Sequence, residues 1–333
     1  MPPDCPTNDS HLPNGVMMAM EYVQISEVPD LENALLIGAF AGWNDAASAA
    51  SWAVKFLINQ WEARPFAEVE PELFYDFSET RPKVRVVNGA VRKVSWPANR
   101  FYVFRAEREA SAPKRRDIVL FLGDEPQLRW KTYTQEVLDV CRQCQVEELA
   151  LLGSLVAEVP HTAPVQIAGT AGESAMLRRM ESEGIERVNY EGDSGILGVL
   201  HDAARKEGFA AVSLWGTAPH YISATPNLPV SEALLERLND LYHFDLRLND
   251  LGRAARRFTQ RVSSLVAEDP EVSAYVRELE RRTTEDDVPG TAIAGDASGV
   301  HRIPLDGELP SPEQAIQDVE EWLRQFRGDA GDL

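Results

Sequence analysis

The sequence predicts an α/β protein: a three-layer α/β/α domain with a mostly parallel sheet, an antiparallel hairpin excursion and a helical C-terminal extension. Three observations predict it. Ala34–Phe40 is a continuous apolar run of strand length, which is typical of a strand buried on both faces. From there to residue 245 strand-like and helix-like segments alternate, which favours parallel strands joined by right-handed crossovers. Beyond Leu246 the strand patterns stop and helical spacing takes over.

Composition narrows the class of protein before any motif is considered. The 333 residues are 44% hydrophobic and 26% charged, as in folded globular chains, and they allow one large domain with a satellite. Acidic residues outnumber basic ones 53 to 33, and the net charge of −20 disfavours a nucleic-acid partner. The longest apolar run, Ala34–Trp43, is shorter than the roughly 18 residues of a membrane helix.

The N-terminal residues and the number of cysteines predict the compartment of the protein. The first twenty residues contain no Lys or Arg and no long apolar core, so no secretory signal is expected. Three cysteines, an odd number, fit a reducing compartment. We therefore expect a cytoplasmic protein that does not bind membranes.

The first strand leads into the first helix. Residues 1–19 lack periodicity and are expected to be a disordered tail. Ala34–Phe40 is followed by a turn ending in Asn44 and Asp45 and then by an Ala-rich helical stretch, Ala46–Trp61. Either Asn44 or Asp45 is the natural N-cap of that helix.

An antiparallel excursion, in which polarity alternates from Phe66 to Phe104, interrupts the α/β pattern and contains a hairpin. Lys83–Val87 and Val91–Val94 alternate in polarity around the turn Asn88-Gly89. Asn-Gly between alternating runs is the strongest short-range hairpin signal.

Alternation of strands and helices then completes a core domain over residues 20–245. The predicted strands are Asp117–Leu122, Leu149–Leu152 and Ala210–Trp215, and the predicted helices are Trp130–Cys144, Ser174–Glu183, Ser194–Lys206 and Ser231–Tyr242.

The C-terminal part is predicted to be a helical extension, a linker and one more helix. Residues 246–282 read as helical with a break near Asp269-Pro270, residues 283–310 as a flexible acidic linker, and residues 311–328 as an amphipathic helix. Residues 268–333 hold 17 acidic and 6 basic side chains. The helix needs a surface for its apolar stripe, and Trp322 and Phe326 are its predicted docking anchors.

Two glycine-containing turns precede predicted helices and could bind an anion. One spans Gly42–Asp45 and the other contains Glu191, Gly192 and Asp193. Backbone N–H groups at a helix N-terminus bind phosphate, but neither turn has the spacing of a phosphate loop. In both turns a carboxylate would occupy the anion position, which favours helix capping over phosphate binding.

Acidic residues recur where predicted strands end. Asp124 and Glu125 follow the second parallel strand and join the acids of the two glycine turns at the carboxyl edge, where open α/β sheets bind ligands. Such a rim could hold Mg²⁺ or steer a cationic ligand. A set of helix caps in an acidic protein is the favoured interpretation, and we expect no metal and no cofactor.

One pair of cysteines and one pair of histidines could have a chemical role. Cys141 and Cys144 form a Cys-x-x-Cys but prolong the apolar stripe of a helix, which favours core packing. His161 and His220 each follow a proline after a strand and could act as general bases. No nucleophile motif such as Gly-x-Ser-x-Gly accompanies them, which favours loop histidines bound to backbone carbonyls.

The candidate ligand-binding residues share one predicted location, the loops beyond the strand ends, and none is given a catalytic role. They are Gly42, Trp43, Asn44, Asp45, Asp124, Glu125, His161, Glu191, Gly192, Asp193 and His220.

Six blocks of residues occur in order between about residues 20 and 279 and are specific as a set. They are Gly42-Trp43-Asn44-Asp45, Phe74-Tyr75-Asp76-Phe77 with Thr80-Arg81-Pro82, Leu122-Gly123-Asp124-Glu125-Pro126, Val159-Pro160-His161-Thr162, Tyr190-Glu191-Gly192 with Gly195-Ile196, and Ser213-Leu214-Trp215 through Pro219-His220-Tyr221. Glu268-Asp269-Pro270 follows the sixth block. With these blocks the chain resembles the bacterial branch of the proteasome assembly chaperone 2 family.

The resemblance implies an α/β/α domain similar to phosphorylase-like folds and a scaffold that self-associates, with a trimer as one option. It implies a protein client, with a proteasome-related client as one option. The family carries no agreed catalytic residues. Proteasome-docking partners commonly end in a hydrophobic-Tyr-any tripeptide, whereas this chain ends Gly331-Asp332-Leu333.

The sequence therefore leaves two function classes open. The first is a non-catalytic, self-associating scaffold or assembly-chaperone-like protein. The alternative is a nucleoside-phosphorylase-like or ATP-dependent-ligase-like enzyme that uses the acidic rim and His220 around a small ligand.

Overall fold

A nine-stranded sheet forms the centre of the protein in a computed structural model, which describes residues 21–87, 90–106, 116–222 and 225–285. The strands, in chain order, are β1 (Val23–Ile25), β2 (Ala34–Ala41), β3 (Arg64–Val69), β4 (Lys83–Val87), β5 (Ala90–Ser95), β6 (Asn99–Phe104), β7 (Ile118–Asp124), β8 (Val146–Ala157), β9 (Ile167–Ala171), β10 (Glu186–Arg187) and β11 (Ala210–Pro219). The sheet order is β1-β3-β6-β7-β2-β8-β11-β9-β10.

The four central strands are parallel and the flanks are mixed. β7, β2, β8 and β11 run in one direction, β6 and β9 pair antiparallel to this block, and β4 pairs only with β5 in a separate hairpin. The predicted fold class, a mostly parallel α/β sheet with an antiparallel excursion, is confirmed.

Helices cover both faces of the sheet. They are α1 (Ala49–Gln60), α2 (Trp130–Gln143), α3 (Ser174–Ser182), α4 (Ile196–Lys206), α5 (Leu228–Tyr242), α6 (Asn249–Glu268) and α7 (Pro270–Glu285), with 3₁₀ turns at Ala46–Ser48 and Pro71–Leu73. Successive side chains of β2 point to opposite faces, as in any strand. Ile37 packs with α1 and α5, while Leu36 and Phe40 pack with α2 and α4.

Several boundaries differ from the prediction for local reasons. α1 begins at Ala49 and not at Ala46, because Ala47 and Ser48 have φ of 49° and 52°, in the left-handed region. β8 extends to Ala157 through Gly153-Ser154, which reads as a strand end in the sequence. The short strands β1, β9 and β10 were not predicted, and β3 and β6 join the main sheet instead of the excursion.

The helical extension breaks where predicted, at Asp269-Pro270, between α6 and α7. α7 continues to Glu285, past the predicted start of the linker. The predicted N-terminal tail, the Asn88-Gly89 turn, the rest of the linker and the amphipathic helix lie outside the described residues. Within the described ranges, no helix combines the length and apolarity needed to cross a bilayer.

Candidate functional site

The turn after β2 brings Asp45 to the N-terminus of α1. Asp45 is buried, and its Oδ1 accepts hydrogen bonds from the backbone N–H of Ala50 (2.7 Å) and Ser51 (3.3 Å) and from Ser154 Oγ (3.2 Å). The prediction that Asn44 or Asp45 is the N-cap residue of this helix was wrong, because Ser48 holds that position with φ of 52°. Asp45 instead accepts from the first turn of α1 across the 3₁₀ turn. Burial raises the pKa of Asp45 to about 6, against the lowering effect of these hydrogen bonds.

Glu125 fastens the same turn to a second helix. Its Oε1 accepts from Asn44 Nδ2 (2.8 Å) and from the N–H of Ile196 (3.0 Å), and its Oε2 accepts from the N–H of Trp43 (3.0 Å). Ile196 is the first residue of α4, so Glu125 supplies the negative charge that a helix N-terminus favours. The sequence predicted a local cap for α4; this was wrong, because the N-cap is Gly195 and the carboxylate comes from the loop after β7.

Two buried oxygens of this turn have no hydrogen-bond partner among the described residues. They are Asp45 Oδ2 and Asn44 Oδ1. Gly195 leaves no space beside them, because a Cβ there would collide with the Asn44 amide. The turn is therefore closely packed against α4.

A buried polar chain holds the start of β6 at the end of β7. Asn99 is buried; its Nδ2 donates to Tyr75 Oη and its Oδ1 accepts from Tyr133 Oη at 2.7 Å. Tyr75 Oη donates to the carbonyl of Asp124 at 2.5 Å, and Asp124 Oδ2 accepts from Ala98 N–H at 3.3 Å. Asp124 therefore anchors the segment that follows the hairpin β4-β5.

The two Pro-His loops meet α6 and α7 in a histidine cluster formed by His161, His220, Tyr221, Ser263 and Tyr275. The backbone N–H of His161 donates to Tyr221 Oη (2.7 Å), and His161 Nδ1 lies 2.8 Å from the same oxygen. His161 Nε2 lies 3.0 Å from Ser263 Oγ. His220 Nε2 contacts Tyr275 Oη at 3.3 Å.

Burial shifts the pKa of two groups of the histidine cluster. Burial lowers the pKa of His161, partly opposed by Glu280, and burial raises the pKa of Tyr221 to about 12. The contacts of His161 with Ser263 and of His220 with Tyr275 join the two Pro-His loops to α6 and α7.

A small cavity adjoins the histidine cluster. Its volume is about 20 Å³, and its lining includes His161, Thr217, Asn227 and Phe258. Such a volume suits about one ordered water molecule, well below the few hundred Å³ of a nucleotide or sugar site.

The predicted rim is only partly assembled. Asn44, Asp45 and Glu125 share one network, and Asp124 binds the β5–β6 connection beside it. Glu191 and Asp193 are exposed in the loop before α4, where the carbonyl of Asp193 accepts from Tyr190 Oη at 3.0 Å. His161 and His220 belong to the separate histidine cluster. Among the described residues no group of His, Cys, Asp and Glu is arranged to hold a metal ion.

Cys141 and Cys144 are free thiols packed with the core on the α2 side of the sheet. Burial raises the pKa of both thiols, that of Cys144 to about 12. Both are therefore protonated side chains of the core.

Sequence reasoning missed a surface at the carboxyl edge. Large hydrophobic side chains are exposed in the segments that leave this edge: Trp43, Val84, Val86, Val94, Trp96 and Leu128. We call these six residues the apolar edge. Leu128 is held to the Phe74 loop by a backbone hydrogen bond of 3.0 Å, and Trp96 packs edge-on against Phe77 with ring centroids 4.8 Å apart. The alternating valines were a signal for the hairpin but not for its exposure.

Comparison with known proteins gives a consistent family and fold. The model of the PAC2 family matches residues 39–266. No curated protein matches the chain.

Solved structures resemble the chain over most of its length. A proteasome-assembly chaperone homologue of Mycobacterium tuberculosis is 38% identical, with a TM-score of 0.65 over 73% of this chain and 99% of that one. A PAC2 family protein of Streptomyces avermitilis is 39% identical, with the same TM-score and coverage. PbaB, an archaeal proteasome activator of Pyrococcus furiosus, is 17% identical with a TM-score of 0.57, covering 73% and 97%, and shows the fold alone.

Proposed function

The chain belongs to the PAC2 family, and we propose that it acts as a proteasome-assembly-chaperone-like scaffold that self-associates and holds a protein client at the carboxyl edge of its sheet. Its homologue in Mycobacterium tuberculosis is described as a proteasome-assembly chaperone homologue. A proteasome-related client is the first to test.

The observation that carries this proposal is the apolar edge. Exposed apolar patches rimmed by polar residues mark protein interaction sites, and aromatic anchors such as Trp43 and Trp96 supply much of the binding energy at such sites. The polar groups beneath them, Asp45, Glu125 and Asp124, are engaged in holding backbone turns. The apolar edge therefore offers exposed hydrophobic side chains on backbone turns that hydrogen bonds hold in place.

Substituting the anchors tests the proposal. Trp96→Ser combined with Leu128→Ser should weaken self-association and retention of co-expressed proteasome core-particle subunits by about tenfold or more, because buried anchors dominate interface energies. Light scattering gives the mass, and quantitative co-purification gives the retention.

Tyr190→Ser is the matched control, since Tyr190 is 44% exposed and lies outside the apolar edge. It should leave both measurements unchanged. An unaltered mass together with unaltered subunit retention in the double variant would exclude the proposal.

The unpaired buried oxygens of Asn44 and Asp45 favour a second candidate, a small-molecule enzyme with an acidic site at this edge. It has less support, because Gly195 packs against the Asn44 amide and the cavity nearby, at the histidine cluster, suits about one water molecule.

A further inference from the structure

The hairpin β4-β5 has an apolar face that the described residues leave about half exposed. Val84 is 59% exposed, Val86 52%, Val94 48% and Trp96 51%. Val84 pairs with Val94 across the strands, so the four side chains lie on one face. An isolated two-stranded hairpin is only marginally stable in water, and it needs a packed face.

The hairpin is also basic, in a protein of net charge −20. Residues 81–95 contain five Lys or Arg and no acid. Lys83, Arg85 and Lys93 are exposed and alternate with the valines, so they point to the opposite face of the hairpin. The hairpin is thin compared with the Debye length of about 10 Å, so an occupant of the apolar face still gains from negative charge.

The same chain contains a segment with the complementary properties. Residues 286–333, outside the described ranges, hold 11 acidic and 3 basic side chains. Within them, Ile316, Val319, Trp322, Leu323 and Phe326 recur at helical spacing over residues 311–328, which predicts one apolar stripe.

The two apolar surfaces have the same length. From Val86 to Trp96 the face of the hairpin spans four residue steps, about 13 Å at 3.3 Å per residue. From Ile316 to Phe326 a helix rises about 15 Å at 1.5 Å per residue.

The connection is long enough for the contact to form within one chain. Near the end of α7, Arg282 Nη1 lies 3.6 Å from Oε2 of Glu158, the residue that follows β8. The segment after the hairpin is held to Asp124 at the end of β7. β7 and β8 are separated by β2 alone, about 10 Å at that edge. The 25 residues from 286 to 310 have a typical span of about 28 Å.

We propose that residues 311–328 form a helix that packs its apolar stripe on the Val84-Val86-Val94-Trp96 face of the hairpin in the same chain. This segment of the same chain is favoured over a second copy as the occupant, because a flexible tether keeps it near the hairpin at an effective concentration on the order of 1 mM. The contact covers part of the apolar edge and requires no client, so it can be tested whether or not a client is found.

Hydrogen exchange on the 333-residue chain tests the contact. Trp322→Ser combined with Phe326→Ser should speed amide exchange in residues 83–95 by about tenfold or more, since loss of the cover releases the hairpin. Gln317→Ser combined with Gln325→Ser, on the opposite side of the predicted helix, is the matched control and should exchange like the wild type.

The reciprocal variant and dilution complete the test. Val84→Ser with Val94→Ser should speed exchange in residues 316–326 by a similar factor. Protection of the hairpin should be unchanged on dilution, because an intramolecular contact does not depend on concentration. Equal hairpin exchange in all variants would overturn the proposal, as would protection that disappears on dilution, which would place the occupant in a second copy.

Discussion

Among single residues, Asp45 is the one whose environment most clearly sets a measurable property. It is an acid buried at the junction of β2 and α1, and its pKa is raised to about 6 because burial disfavours the charged form. Since the unfolded carboxyl titrates near 4, the folded state binds the extra proton between about pH 4 and pH 6. Stability from this residue is therefore greatest at low pH and is lost as the pH rises through 6.

Asp45→Asn isolates this effect. The variant cannot ionise, so its free energy of unfolding relative to wild type should rise by about 3 kcal/mol between pH 4 and pH 7 and then stay level. Denaturant titrations at several pH values, analysed as the difference between the two proteins, measure it.

Asp76→Asn serves as the control of opposite sign. Asp76 is exposed, and hydrogen bonds from Ser78 lower its pKa, so its charged form stabilises the folded state. The free energy of unfolding of Asp76→Asn relative to wild type should therefore not rise with pH. A constant difference between Asp45→Asn and wild type would contradict the assignment of a raised pKa to Asp45.

How far single residues could be predicted depended on sequence distance. The contact of Asp45 with the start of α1 was predictable, because its partners Ala50 and Ser51 follow it within one or two turns. The role of Glu125 was not, because Ile196 lies 71 residues away and only the folded sheet brings them together. The serine partner of His161 lies in α6 and was equally out of reach.

At the scale of elements, α4 depends on a carboxylate from another loop. Glu125→Gln replaces one carboxylate oxygen with an NH₂ group. At least one of the three N–H groups that donate to Glu125 then loses its acceptor. We expect a loss of about 2 kcal/mol in the free energy of unfolding, because hydrogen bonds to a charged group are the stronger kind. Chemical denaturation measures this loss.

Glu191→Gln is the matched control for that experiment. Glu191 is an exposed acid in the loop before the same helix, and surface substitutions of this kind usually stay within about 0.5 kcal/mol. Equal stability of the two variants would show that Glu125 does not hold α4.

Elements were predictable where burial leaves a periodic pattern. β2 was evident because both of its faces are buried, which makes the run continuously apolar. β9 was missed because it has only five residues with a glycine at its centre, and tertiary pairing with β11 holds it extended. Exposure of the hairpin valines was hidden, since alternation usually indicates a strand with one buried face.

At the scale of the whole molecule, deletion of residues 286–333 should change how the protein associates. The deletion removes the proposed cover, and an uncovered apolar hairpin favours contact between copies. Light scattering should give more copies per particle than for the 333-residue chain, and adding Val84→Ser with Val94→Ser should reverse the increase. A truncated chain with the same number of copies per particle as the 333-residue chain would count against the cover.

The architecture of the whole could be predicted from the order of strand and helix patterns, because a right-handed α/β arrangement has few alternatives. The arrangement of the candidate site could not. Glu191 and Asp193, like Asp124 and Glu125, are acids that the sequence predicts at the carboxyl edge of the sheet. Glu191 and Asp193 are nevertheless exposed in the loop from β10 to α4, whereas Asp124 and Glu125 accept hydrogen bonds from backbone N–H groups at the end of β7. Loop paths of this kind depend on packing that no local pattern encodes.

The ladder between β8 and β11 pairs ten residues of each strand without an irregularity, and both Pro-His loops continue directly from it. A central ladder of this length opens only when the entire molecule does. The starting points of the two loops therefore keep their spacing for as long as the native state lasts, and fraying of α6 and α7 at their ends leaves that spacing intact.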